Sequence, residues 1–224
     1  MIELDGVEHG YDGRPVLRGI TATLSERRIG IIGSNGSGKS TLARMLNGLI
    51  VPTRGTVRVD GLDTARDGRA VRRRVGFVFQ NPDVQIVYPT VAEDLAFGLK
   101  PLKLPKAEVT ARVEAVMARY GLERYRNHPA HLLSGGEKQL LAIAAVLVTD
   151  PAHVVFDEPT TLLDRRNRRH VRSVIDGLAQ NAIVITHDLD LLDGFDRVLV
   201  VEEGRIAADD TPAAAIAAYI ARIG

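Results

Sequence analysis

The sequence predicts an α/β fold: a mostly parallel sheet with a helical subdomain inserted into it. Three observations predict this class. Short apolar runs of strand length alternate with helical patterns at both ends of the chain, as in a parallel sheet joined by crossover helices. Between about Asn81 and Asp150 the pattern becomes almost wholly helical. The 224 residues suit one large domain with a subdomain, and no internal repeat or low-complexity linker divides them. The expected organisation is therefore a single domain over 1–224, in which 1–80 and 151–224 form the core and 81–150 the helical insertion.

The elements follow in order. Ile20-Thr21-Ala22-Thr23-Leu24 alternates like a half-buried strand, and Arg28-Ile29-Gly30-Ile31-Ile32 is a compact apolar run suited to a buried central strand. A helical run covers Ser40 to Leu49. Further strands are expected at Thr56–Val59, Val75–Phe79, Val154–Asp157, Ile183–Thr186 and Val198–Val201, with a turn at Glu203-Gly204-Arg205 leading to a return strand through Ile206. Thr90 with Glu93 has capping-box spacing and opens a helix through Leu99. Pro105 starts another, with Val109, Val113, Val116, Met117 and Tyr120 on one face and Gly121 as its stop. Ser134 with Glu137 forms a second capping box before the apolar helix Leu140 to Val148, and Thr211-Pro212 begins a C-terminal Ala-rich helix.

Composition narrows the function classes. Hydrophobic residues at 45% and charged residues at 25% are those of an ordinary globular protein. Lys plus Arg number 29 against 28 Asp plus Glu, so nothing favours nucleic acid or an acidic membrane surface as partner. With no cysteine there are no disulfides, thiolate metal sites or Cys nucleophile. The start, Met1-Ile2-Glu3-Leu4-Asp5, lacks the basic flank and apolar stretch of a signal peptide. The longest charge-free apolar run, Leu140 to Val148, is far short of the ~20 residues a bilayer requires. Any membrane connection is expected to come from another chain.

Gly33-Ser34-Asn35-Gly36-Ser37-Gly38-Lys39-Ser40 fits the phosphate-cradle pattern G-x-x-x-x-G-K-[ST] between a strand and a helical run that continues through Thr41. Its glycines let backbone N–H groups wrap phosphates, and the helix N-terminus adds its positive end. Lys39 is expected to reach the β- and γ-phosphates of ATP, and Ser40 to hold Mg²⁺, which prefers oxygen ligands. Val154-Val155-Phe156-Asp157-Glu158 is an apolar strand ending in two carboxylates, whose alternation allows them separate tasks. Asp157 suits the Mg²⁺, and Glu158 suits polarising the water that attacks the γ-phosphate. An acidic strand end alone is commonplace; the upstream cradle gives this one its meaning. In Leu133-Ser134-Gly135-Gly136-Glu137-Lys138-Gln139, two glycines in a capped first turn would leave backbone amides open to an anion, although an ordinary capped helix reads alike.

That last segment closely resembles the LSGGQ signature of ABC ATPases, and the resemblance extends in order along essentially the whole chain. It implies a P-loop core of RecA-like type with an N-terminal antiparallel β portion and the helical signature subdomain. It also implies ATP hydrolysis coupled to transmembrane transport. Tyr11 stands where the family has an aromatic that stacks on adenine. Gln80 matches the Q-loop glutamine that touches Mg²⁺, Leu163-Asp164 the end of the D-loop, and His187 the switch histidine that contacts the γ-phosphate. In the family the signature of one subunit, here Ser134, Gly135, Gly136 and Glu137, caps the ATP on the P-loop of the other, so a dimer is implied. Glu137 replaces the usual Gln; both fit the capping box, so the exchange is expected to be tolerated. Leu140 replaces a common Arg, and Thr161-Leu162 a small pair before the D-loop leucine.

Phe79-Gln80-Asn81-Pro82-Asp83-Val84-Gln85-Ile86-Val87, followed by Pro89-Thr90-Val91-Ala92-Glu93-Asp94, resembles the Q-loop region of energy-coupling factor (ECF) importers. This implies a transmembrane coupling subunit, a small membrane substrate-binding subunit and a peripheral seat on the cytoplasmic face of the membrane. Val84, Ile86, Val87 and Tyr88 are expected to line a groove for a coupling helix or to serve as subdomain core. A short C-terminal region and a full set of catalytic positions point to a homodimer. Among dedicated systems the likeness is greatest to the ATPase of a biotin importer, with cobalt or nickel next. The rival readings are the ATPase of a conventional permease, a non-transport ABC ATPase and a P-loop small-molecule kinase. His9, His128, His131, His153 and His170 lack metal-ligand spacing. Arg72-Arg73-Arg74 and the cluster Arg165, Arg166, Arg168 and Arg169 read as solvated helix faces, the second of them adjoining the D-loop.

Overall fold

A computed structural model describes residues 1–223; Gly224, the last residue of the expected domain, lies outside them. In chain order the elements are β1 (Ile2–Tyr11), β2 (Arg14–Leu24), β3 (Arg28–Ile32), α1 (Lys39–Leu46), β4 (Arg54–Val59), β5 (Leu62–Asp63), α2 (Gly68–Arg74), β6 (Val75–Val78), α3 (Val91–Leu99), α4 (Lys106–Tyr120), α5 (Gly135–Leu147), β7 (His153–Asp157), α6 (Arg165–Asp176), β8 (Asn181–Ile185), β9 (Arg197–Glu202), β10 (Arg205–Asp210) and α7 (Pro212–Ile223), with short 3₁₀ turns between some of them. They fall into two compact units: Met1–Phe77, Ala152–Glu158 and Gly177–Gly224, and Val78–Pro151 with Pro159–Asp176.

The first unit carries the α/β core. Its central sheet has the order β10-β9-β3-β8-β7-β6, with β3 parallel to both β8 and β9, and β7 parallel to β8. Every residue of β3 and β7 is buried, which is why both read as nearly continuous apolar runs. Each fully buried aliphatic side chain there, such as Ile31 or Val155, stabilises the core by about 1.5–3 kcal/mol. Arg28 at the head of β3 is buried, and its guanidinium donates to the Leu178 and Gln180 carbonyls at 2.6 and 2.8 Å, so its charge does not go unsolvated. A second, antiparallel sheet has the order β2-β1-β4-β5.

Two differences from the expected elements have local causes. The helix expected to run to Leu49 ends at Leu46, because Gly48 takes a left-handed φ of 70° and the N–H groups of Leu49 and Ile50 both return to the Arg44 carbonyl. Strand β1 was not anticipated. Ile2, Leu4 and Val7 are its buried residues, and a register shift between Leu4 and Val7, with Gly6 at a φ of 55°, breaks the period-two pattern.

The second unit is helical. Thr90 and Glu93 close a reciprocal capping box on α3, and Ser134 and Glu137 do the same on α5. Helix α4 begins after Pro105 and stops at Gly121 in the left-handed conformation; of its expected stripe, Val113, Met117 and Tyr120 are buried and Val109 and Val116 half-buried. The loop before α3 is held by two side chains. Buried Asp94 accepts from the Val87 and Tyr88 amides at 2.8 and 2.9 Å, and Gln85 bridges the Phe79 amide to the Ala142 carbonyl. Among the described residues no helix is long and apolar enough to cross a membrane.

Candidate nucleotide site

Three adjacent parallel strands of the first unit deliver the predicted chemistry at their carboxyl ends. β3 runs into the loop Gly33–Gly38, β8 leads to His187, and β7 ends in Asp157 with Glu158 beyond it. Ligands of open α/β sheets bind at this edge. Gly33 is obligatory: a Cβ there would run into the Val201 carbonyl oxygen, and its φ of 150° is one that side chains rarely adopt. Ser34, Asn35 and Gly36 form the exposed tip of the loop. The following helix α1 has Gly38 as N-cap, no side-chain cap and no acidic residue in its first turn, and Thr41 lies half-buried within it. The buried Ser37 hydroxyl has no hydrogen-bond partner. An orphaned donor beside uncapped amides fits a phosphate-bearing ligand.

Lys39 is buried, and its ammonium donates to the Gly33 and Ser34 carbonyls at 2.8 Å each. Burial pulls its pKa down, while the Glu158 and Asp157 carboxylates oppose that pull. Ser40 Oγ donates to Asp157 Oδ1 at 2.9 Å. Burial pushes the Asp157 carboxyl up, against the Ser40 hydrogen bond and the Arg44 charge. The hydroxyl and carboxylate together are hard oxygen donors suited to Mg²⁺. Among the described residues no group of three or more His, Cys, Asp or Glu is placed to hold a metal ion by itself, so phosphate and water oxygens would have to complete such a shell.

Glu158 occupies left-handed backbone space at a φ of 53°, which costs a non-glycine residue on the order of 1–3 kcal/mol. Its N–H donates to the Ile185 carbonyl at 2.9 Å, fixing the kinked backbone to β8. Its Oε2 lies 2.8 Å from His187 Nδ1 and accepts from the His187 amide at 3.3 Å. An ionised carboxylate only accepts, so Nδ1 carries the proton of this pair. Tyr11, at the end of β1, is 46% exposed and meets His9 edge-on at 4.9 Å.

The remaining predicted residues lie in the second unit. Ser134 accepts from the Glu137 amide, and Glu137 Oε2 takes both the Ser134 amide, at 2.8 Å, and its hydroxyl, at 2.7 Å. The other carboxylate oxygen accepts from Tyr125 Oη and lies 3.8 Å from the Arg124 guanidinium. These donors, Tyr125 foremost, hold Glu137 at a pKa of about 2. Gly135 has open space around its Cα, whereas a Cβ on Gly136 would collide with the Asn167 side chain. Asp164 Oδ1 accepts from the Asn167 amide at 2.8 Å. Exposed Gln80 helps line a cavity of about 130 Å³ with Gly135, Lys138, Gln139 and Leu163.

Sequence reasoning missed Tyr125 and Arg124, which belong to no motif. It set His153 aside as bland; the side chain is buried with Nε2 at 3.3 Å from both Asp60 oxygens, a packing role. Of the arginine runs, Arg72 donates to the Gly48 carbonyl and Arg74 pairs with Asp60, while Arg165, Arg166, Arg168 and Arg169 are exposed.

A family model described as ABC transporter matches residues 17–161. The chain belongs to the ABC transporter family. An ABC transporter ATPase binds ATP and hydrolyses it to power transport, and this chain is such an enzyme. A Deinococcus radiodurans chain, whose name goes no further than ABC transporter ATP-binding protein, is 65% identical over 223 residues, covering 100% of this ABC chain and 99% of its own length. The biotin transport ATP-binding protein BioM of Rhizobium etli is 51% identical, covering 97% of each chain. The solved structure of cbiO1 from Clostridium perfringens, part of the ABC transporter complex cbiONQ, superposes with a TM-score of 0.86 at 33% identity, covering 99% of this chain and 93% of that one. Gly33–Thr41, Gln80, the signature and Glu158 all fall within the segment matched by the ABC family; Tyr11, Asp164 and His187 lie outside it.

Proposed function

We propose that this ABC ATPase energises an ECF-type importer as a homodimer at the cytoplasmic face of the membrane, with biotin as the favoured cargo and a transition-metal ion such as cobalt next. The hydrolytic reading is carried by one observation: the Ser40–Asp157 and Glu158–His187 pairs stand at the ends of three neighbouring parallel strands. The importer reading is supported by the Q-loop segment 79–94 and by the likeness to a biotin-transport ATPase. Its domain is the single cassette over 1–224, with 81–150 as the signature subdomain.

In this mechanism Tyr11 stacks on adenine, and the amides of residues 33–41 with Lys39 hold the phosphates. Ser40, Asp157 and Gln80 would hold Mg²⁺, which would supply positive charge to offset that of the phosphates. Glu158 accepts the proton of the attacking water; His187 steadies that carboxylate through Nδ1–H and touches the γ-phosphate. Ser134, Gly135, Gly136 and Glu137 of one subunit, with Asp164 beside them, close over the ATP of the other. Hydrolysis then loosens the closed dimer, and the attached membrane subunits move. The exposed Val84 and Val87, beside half-buried Ile86 and Tyr88, supply an apolar seat for a transmembrane coupling subunit, which in turn carries a small membrane substrate-binding subunit.

The test is a tagged pull-down from detergent-solubilised membranes of the native host. A coupling subunit with a compact multi-helix binder that retains biotin is the expected result. A conventional permease with a soluble binding protein would keep the ATPase and discard the ECF reading, and a second, different ATPase subunit would discard the homodimer.

A further inference from the structure

The signature's fifth residue is an acid, and its surroundings are built around that charge. Glutamine at position 137 would complete the same capping box, so helix capping alone does not account for a carboxylate. Nor does it account for the further donor, Tyr125 Oη, and the nearby charge of the Arg124 guanidinium at 3.8 Å, on the oxygen turned away from Ser134. Arg124 also stacks over the Tyr125 ring at 4.6 Å, and Tyr125 meets His128 edge-on at 5.7 Å, so both groups are themselves held in place. The clamped carboxylate then has one consequence for the serine. Because an ionised carboxylate can only accept, the 2.7 Å contact must use the Ser134 hydroxyl proton, leaving that oxygen's lone pairs for any approaching group. A serine so turned repels the anion that it is there to cap, and the carboxylate beside it offsets the positive end of α5.

We infer that Glu137 is a positioning residue that restrains the signature: it keeps the Ser134 hydroxyl proton turned back into its own helix turn, so that closing over the partner's ATP requires a charge-assisted hydrogen bond to be given up. Tyr125 and Arg124 keep the restraint in place by orienting the carboxylate. The consequence is an ATPase whose closure on ATP alone is held back. This inference rests on the proposed capping of one subunit's ATP by the other's signature.

The test is the ATP concentration giving half-maximal dimer by analytical ultracentrifugation, with Glu158→Gln present throughout to prevent turnover. Adding E137Q replaces the charged acceptor with a neutral one, and charge-assisted bonds are about twice as strong as neutral ones. That concentration should fall by at least about threefold on this ground, while S134A should raise it. Affinity for a fluorescent ADP analogue, which has no γ-phosphate to cap, should stay as it was for E137Q. If S134A weakens dimerisation but E137Q leaves it unchanged or weaker, the restraint is wrong and the capping reading stands. A parallel change in ADP affinity would mean that Glu137 acts on the nucleotide fold as a whole, and would overturn the inference. If S134A has no effect, capping by the signature fails and the restraint falls with it.

Discussion

The two helix N-termini proposed to meet phosphate are built in opposite ways. Helix α1 opens on a glycine, has no side-chain cap and carries no acid in its first turn, so its amides and the orphaned Ser37 hydroxyl await an external acceptor. Helix α5 opens on a serine in a complete capping box whose acid accepts a further hydrogen bond from Tyr125 and lies near the Arg124 charge. The first end leaves its hydrogen bonds to the ligand; the second has already met part of its own, at the Ser134 and Glu137 amides. A site of the first kind binds nucleotide by itself, whereas one of the second kind must exchange an internal bond for an external one. Affinity and regulation can thus reside at separate helix ends.

That contrast can be broken or sharpened by substitution. The largest effect should come from neither helix: Glu158→Gln removes the proposed general base and should slow steady-state phosphate release by roughly 10²–10⁴-fold while leaving ATP binding intact. Phosphate release within a few-fold of wild type would assign the water to another residue. Lys39→Ala, at the open end, should weaken nucleotide binding by about 100-fold, as loss of two charge-assisted contacts implies. Equilibrium dialysis with radiolabelled ATP reads this directly, and undiminished affinity would mean that α1 does not hold the phosphates. Ser134→Ala, at the closed end, should lower thermal stability by about 1 kcal/mol through the lost cap, with nucleotide affinity of the isolated subunit unchanged. A calorimetric scan and the same dialysis separate the two readouts, and a fall in affinity would erase the distinction between the helix ends.

Much of this was legible before any coordinates. Strands β3 and β7 announced themselves because burial on both faces demands unbroken apolar runs. Both capping boxes were readable from three-residue spacing, since the reciprocal hydrogen bonds require nothing further along the chain. Strand β1 stayed hidden because its register shift destroys alternation. The partners in the site divide similarly. The order cradle, acids, histidine could be read as a list, but the approach of Ser40 to Asp157 and of His187 to Glu158 depends on strand order, which periodicity does not encode. Tyr125 lies 12 positions from Glu137 and belongs to no repeating pattern, so only the folded chain reveals their contact.

The signature's paired glycines look interchangeable on paper, yet they live under unequal rules. Residue 135 has vacant space around it and tolerates enlargement as far as local packing is concerned, while residue 136 is shouldered by Asn167, itself seated one turn beyond Asp164. Enlarging position 136 therefore requires the Asn167 side chain to move or to be replaced by a smaller one. Residues 136 and 167, far apart along the chain, thus draw on a single volume.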